Sequence, residues 1–299
     1  MNDASPAVRA PPPDVVRRNL LLLLIALCCV GFFIADVMTP QVFDDAIPAL
    51  TAMGIVTAQL TVICVWGTLV RGTFWIRLPW TLLLLVVSWC GFAWGIRVEN
   101  RGPNPDAMLG LAVIWMLGFV TSFVPLKIAA LGFRWQIIQD STTQTRAERG
   151  SRYAIRDILV GTLLLAISMG IGRAMLAGEE LSLLRAWEAS GLAEPQLLIL
   201  ISIYGVVSLL VKLPCIWISL GAKPQRILRL IGVWVVYCFL LAAAEMAALI
   251  GLLGTPGGGS EVFTGIVISH QSMGAVMLSV CLALRGLGYR LERSVSPVA

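Results

Sequence analysis

The sequence predicts an all-α fold, a polytopic transmembrane helical bundle of about eight spans, and three observations predict it. Of 299 residues, 58% are apolar and only 13% charged, with a mean hydropathy of +0.86. Soluble domains are about 45–50% apolar and about 25% charged. The apolar residues gather into segments near the about 20 residues that a helix needs to cross the hydrocarbon layer. The basic residues then fall almost entirely on one side of that layer. A soluble core cannot hide so much apolar surface, whereas lipid accepts it.

The elements follow in chain order. Residues 1–18 form a Pro-rich tail (Pro6, Pro11, Pro12, Pro13) ending in Arg17-Arg18, expected to be disordered and cytoplasmic. The first apolar run lacks a signal-cleavage site and continues for about 20 residues, so it reads as a retained helix. Spans are expected at about 19–38, 47–70, 78–96, 107–129, 157–177, 196–220, 227–253 and 262–284. Thr39-Pro40, Gly102-Pro103-Asn104-Pro105 and Thr255-Pro256-Gly257-Gly258-Gly259 punctuate them as turns. Residues 285–299 are expected to be a second cytoplasmic tail.

Orientation follows from charge. With the N-terminus inside, eighteen Lys and Arg residues fall on the cytoplasmic face. Only Arg97, Arg101, Arg173 and Arg185 fall outside, together making up the chain's 22. This positive-inside bias sets both termini in the cytoplasm and favours an even number of spans. Trp75, Trp80, Trp94 and Trp217 lie near the expected interfaces, where aromatic belts form.

The longest internal connection, about 130–156, divides the spans four plus four. Its first part, Phe133 to Ile138, is expected to lie in the interface. Its last part carries Arg146, Arg149, Arg152 and Arg156, which read as topology determinants or lipid-headgroup contacts. Outside, Glu179 to Trp187 reads as a surface helix with Leu181, Leu184 and Trp187 on one face. Arg17-Arg18-Asn19 and Ile155-Arg156-Asp157, with Leu69-Val70-Arg71 and Leu210-Val211-Lys212, are short matches between the halves. A parallel duplication would explain them, and so would the general likeness of apolar helices.

The segment Arg152-Tyr153-Ala154-Ile155-Arg156-Asp157-Ile158-Leu159, preceded by Arg134-Trp135, resembles a juxtamembrane element of uncharacterised planctomycete-type bacterial multi-pass membrane proteins. The likeness covers roughly 134–172, and Tyr153 and Ala154 depart from the usual Phe-Ser. It implies a bacterial inner-membrane protein without an established activity, and no functional residues carry over.

Catalytic chemistry finds little support. The single histidine, His270, excludes an intramembrane zinc protease and a bis-histidine haem protein. Ser272 and Ser279 lie near it but lack the Gly-x-Ser setting of a rhomboid-type nucleophile. Glu179-Glu180 with Arg185 departs in spacing from the CAAX-protease motif, and the accompanying histidines are missing. No phosphate loop or nucleic-acid module occurs. The seven cysteines lie in apolar runs without ligand or disulfide spacing and read as small hydrophobes. No catalytic residue, metal or cofactor is expected, and the reading leans against an enzyme.

Polar residues within spans remain, and ionisable groups there usually face the protein interior. Asp36 and Arg173 are expected near outer helix ends, within reach of water, while Lys127 and Lys212 snorkel to the inner face. Glu245 and His270 each lie about eight residues from the outer boundary on the last two spans, roughly 12 Å deep. A short Gly-rich turn makes those helices antiparallel neighbours, so the two form a candidate intramembrane polar pair. Gln59, Tyr237, Ser269 and Gln271 are candidate neighbours in the same polar layer. The pair reads as structural glue between helices or as a proton- or cation-coupled site. Gly91-x-x-x-Gly95 and Gly54-x-x-x-Ala58 read as close-packing faces, and Pro125 and Pro214 as kinks near inner helix ends.

The expected role is a non-catalytic membrane module acting through packing, lipid or partner contacts. The alternative is a small-solute or proton-coupled transporter using Glu245 and His270. The partners are the lipid bilayer, with a protein partner or a second copy, and no nucleic acid.

Overall fold

The structure is a computed structural model that describes residues 13–42, 46–70, 74–99, 105–139, 195–253 and 259–293. The described elements are α1 (Pro13–Met38), α2 (Ala46–Leu69), α3 (Phe74–Glu99), α4 (Pro105–Gly132), β1 (Trp135–Gln139), α5 (Pro195–Ile216), α6 (Ile227–Leu253), α7 (Gly259–Gly286) and β2 (Tyr289–Arg293). Six of these helices are long and apolar enough to cross a membrane. Helices are the expected solution, because hydrocarbon offers no partner for an open backbone group. The fold is therefore an all-α membrane bundle with one small sheet at its end. The predicted span 157–177, the helix from Glu179 to Trp187 and Arg146, Arg149, Arg152 and Arg156 lie outside the described residues.

Two boundaries differ from expectation. Helix α1 begins at Pro13, so residues 13–18 are helical and not part of a disordered tail. Proline suits that first position, since its missing N–H would have no intrahelical partner anyway. At the other end, residues 289–293 form β2 instead of a tail, and they pair antiparallel with β1 in the register Trp135 to Arg293 and Gln139 to Tyr289. Ile137 of β1, opposite Leu291, is 2% exposed and also bridges Val70 at the end of α2. Both strands follow a helix through one left-handed residue, Arg134 (φ 55°) after α4 and Gly288 (φ 88°) after α7. Glycine takes that conformation freely; Arg134 does so at some cost.

The C-terminal ends of α2, α4, α5 and α7 gather at this sheet. Beyond α5 the chain makes a π-helical turn, Trp217–Gly221, closed by Ala222 N–H donating to Trp217 O at 2.9 Å. Pro214 stands just before it and leaves Leu210 O without its regular helical donor. Arg285 of α7 donates to Ser219 O of this turn at 2.8 Å, joining the ends of α5 and α7.

Helix α2 is the central element, packing most extensively on α7 and also on α3 and α4. It runs parallel to α7: Leu50 meets Gly265, and Gly54 meets Ser269 and Ser272. A Cβ at Gly54 would lie only 2.5 Å from Ser269 O, so this backbone approach requires glycine. Gly91 and Gly95 of α3 likewise receive Phe33, Asp36 and Val37 of α1. The core between these helices contains Trp89, Phe92, Trp115, Phe119, Trp234, Met273 and Met277. Cys64, Cys215, Cys238 and Cys281 are buried in it, whereas Cys29 is exposed on α1; all seven thiols are free. Apolar side chains such as Leu22, Leu27 and Val30 of α1 face outward, as lipid contact allows.

Candidate functional site

Among the described residues, three buried ionisable side chains each meet a polar side chain of another helix. The first contact is between α6 and α7. Nε2 of His270 lies 2.8 Å from Oε2 of Glu245, with side chains 0% and 3% exposed. The antiparallel packing of α6 on α7 brings them together, helped by Gly274, against which the Trp234 ring rests. With the proton on Nε2, the imidazole N–H donates to the carboxylate; with the proton on Glu245, the acid O–H donates to Nε2. The contact therefore has two donor arrangements that differ by one proton transfer. His270 Nδ1 is buried and has no hydrogen-bond partner among the described residues.

The four candidate neighbours do not close around this pair. The Tyr237 hydroxyl donates to Leu210 O of α5 at 3.4 Å, and Gln271 Nε2 donates to Val235 O of α6 at 3.3 Å. Ser269 is buried, and its carbonyl accepts from the Ser272 hydroxyl at 3.0 Å. Gln59 belongs to a different cluster. Residues near one another along a helix still point in different directions, and depth alone does not gather them.

That second cluster was not legible as one. Gln59 Nε2 of α2 donates to Asp36 Oδ2 of α1 at 2.8 Å, in a buried contact. The Ser88 hydroxyl of α3 lies beside the same carboxylate. Trp115 Nε1 of α4 donates to Ser88 Oγ at 3.1 Å. One polar chain thus crosses four helices. Asp36 is 0% exposed, which corrects its expected place within reach of water. Thr39 and Pro40 beyond it are themselves buried, so the end of α1 is covered by neighbouring helices.

The third contact corrects the snorkelling of Lys212. Its Nζ donates to Ser122 Oγ of α4 at 2.9 Å, and the residue is 2% exposed. The helical turns continue to Gly221, nine residues and roughly 13 Å beyond, so the lysine stem cannot reach the end of the helix. A signal was present for both corrections, since a charged residue well inside an apolar run usually faces protein.

Among the described residues, no group of three His, Cys, Asp or Glu side chains is placed to hold a metal. Comparison of the chain with protein-family models, curated proteins and solved structures yields no match.

Proposed function

We propose that this chain is a non-catalytic multi-pass module of a bacterial inner membrane, acting through packing, lipid or partner contacts. The observation that carries the reading is that Asp36, Lys212 and Glu245 are each buried against a polar side chain from another helix. Such contacts join helices in a medium where apolar surfaces alone give little reason to associate.

The same proposal includes eight crossings, arranged four plus four, with both termini in the cytoplasm. Helices α4 and α5 both end at the sheet, so an odd number of crossings separates them, and the predicted span 157–177 supplies one. The packing of α2, α3 and α4 on one another has a counterpart in α5, α6 and α7. Under that correspondence the contact of α2 with α7 exchanges with that of α5 with α4, as a parallel duplication would require. Arg77, Arg134, Lys223, Arg226, Arg285, Arg290 and Arg293 lie toward the sheet end, which supports a cytoplasmic sheet. The local resemblance around 134–172 supports the bacterial assignment.

A second reading is favoured by the unpartnered Nδ1 of His270: a proton-coupled carrier using Glu245 and His270. Proteoliposomes containing a pH-sensitive dye test both readings. A module gives no proton flux, and Glu245→Gln and His270→Ala change only its unfolding. Flux that Glu245→Gln abolishes, in a chain that still folds, would replace the module with the carrier.

A further inference from the structure

The sheet end carries a cleft of about 260 Å3 whose lining includes Lys223, Pro224, Arg285, Arg290, Leu291 and Glu292. It forms where the π-helical turn after α5 and the residues that follow it to Pro224 meet Arg285 at the end of α7 and strand β2. Three of its side chains are cationic and one is anionic, so the cleft is basic. Arg285 is held in place by its bond to Ser219 O. The 27-residue helix α6 starts beside it, and the positive end of its peptide dipoles adds to the same field.

The surroundings distinguish a lipid from a free anion. Leu228, one turn beyond Pro224, is 82% exposed. Val233, Val236 and Leu240 continue outward-facing along α6, each at least 60% exposed. Gly232 leaves open space within this stripe. Trp217, beside the cleft at Gly221, exposes its indole as interfacial tryptophans do. A basic head site and an apolar track thus follow one another along the chain from Lys223 into α6, matching the two ends of a phospholipid.

We propose that this cleft binds the phosphate of an anionic membrane phospholipid whose acyl chain lies along the exposed face of α6. The inference deepens the module reading by naming one lipid class and its seat, and it rests on that reading. Lys223 and Arg290 supply exposed charge, Arg285 a fixed guanidinium, and Glu292 opposes the anion.

Native mass spectrometry of the full chain, released from detergent, tests it with phosphatidylglycerol, phosphatidylcholine and inorganic phosphate as separate probes. The wild type should retain phosphatidylglycerol over phosphatidylcholine. Lys223→Gln and Arg290→Gln should each weaken that retention about fivefold, the expected effect of one basic residue at a charged membrane surface. Glu292→Gln should strengthen it, and Lys223→Gln should leave the melting temperature unchanged in lipid-free detergent. Equal retention of the two lipids overturns the proposal, as does an unchanged preference in both Lys223→Gln and Glu292→Gln. Displacement of phosphatidylglycerol by inorganic phosphate at comparable affinity would make the cleft a free-anion site and overturn the lipid assignment. Proton flux in the proteoliposome assay would instead remove the module reading while leaving the lipid result standing.

Discussion

Two buried carboxylates, Asp36 on α1 and Glu245 on α6, are held in different company. Asp36 accepts from the amide of Gln59 and lies beside the Ser88 hydroxyl, both neutral groups. Glu245 meets the imidazole of His270, a group that can itself take or give a proton. The first arrangement holds a carboxyl between fixed dipoles. The second sets the carboxyl against a ring nitrogen that can act as donor or acceptor. The comparison teaches that similar burial does not imply similar chemistry: partner identity decides whether a charge can be handed on.

Substitutions can break or sharpen this contrast. The largest effect is expected from His270→Ala, which leaves the Glu245 carboxyl buried without its partner and opens space in the core. A loss of about 3 kcal/mol is expected, at the low end for breaking a buried pair. Reversible unfolding in mixed micelles would measure it. A loss below about 1 kcal/mol would place the pair among ordinary interhelical hydrogen bonds and remove the contrast.

At the other site, Asp36→Ala should cost about 1–2 kcal/mol by leaving the Gln59 amide without its acceptor. Asp36→Asn keeps a carbonyl acceptor and should cost under about 0.5 kcal/mol in the same unfolding assay. Equal losses for the two variants would show that negative charge, not an acceptor oxygen, is what the Asp36 pocket needs. Trp115→Phe should cost about 1 kcal/mol, because it removes the N–H to Ser88. Its ring can still pack on Phe92, whose centroid lies 4.8 Å away.

The smallest effect lies outside the apolar layer. Burial raises the Tyr289 phenol above its ordinary value of 10.0. The unfolded chain therefore releases this proton first, and the associated stability is present below that value and declines as pH rises above it. Tyr289→Phe should reduce the alkaline loss of stability without altering the neutral-pH melting temperature. An unchanged alkaline profile would show that the phenol contributes nothing to it.

Much of the bundle was legible because hydrocarbon thickness imposes a length on each crossing segment. The predicted runs 19–38, 47–70, 78–96, 107–129, 227–253 and 262–284 fall on the six long apolar helices. Glu245 and His270 could be paired by depth because only residues 254–258 separate their helices. The Asp36 cluster could not, since its members come from four helices and the covering of α1 depends on packing. The strands were hidden for another reason. Trp135–Gln139 and Tyr289–Arg293 are short, and each becomes a strand only because the other lies beside it. Hydropathy has no means of seeing that partner.

That sheet also imposes an order on synthesis. Its first strand leaves the ribosome well before its second, with α5, α6 and α7 made in between. Until Arg293 emerges, β1 presents an open edge of backbone donors and acceptors, the kind of template that pairs with strands of other chains. Strand β2 then closes that edge and fastens the end of α7 to the ends of α2 and α4. Removing residues 289–293 would accordingly show first as aggregation of newly made chains, before any loss in the helical bundle itself.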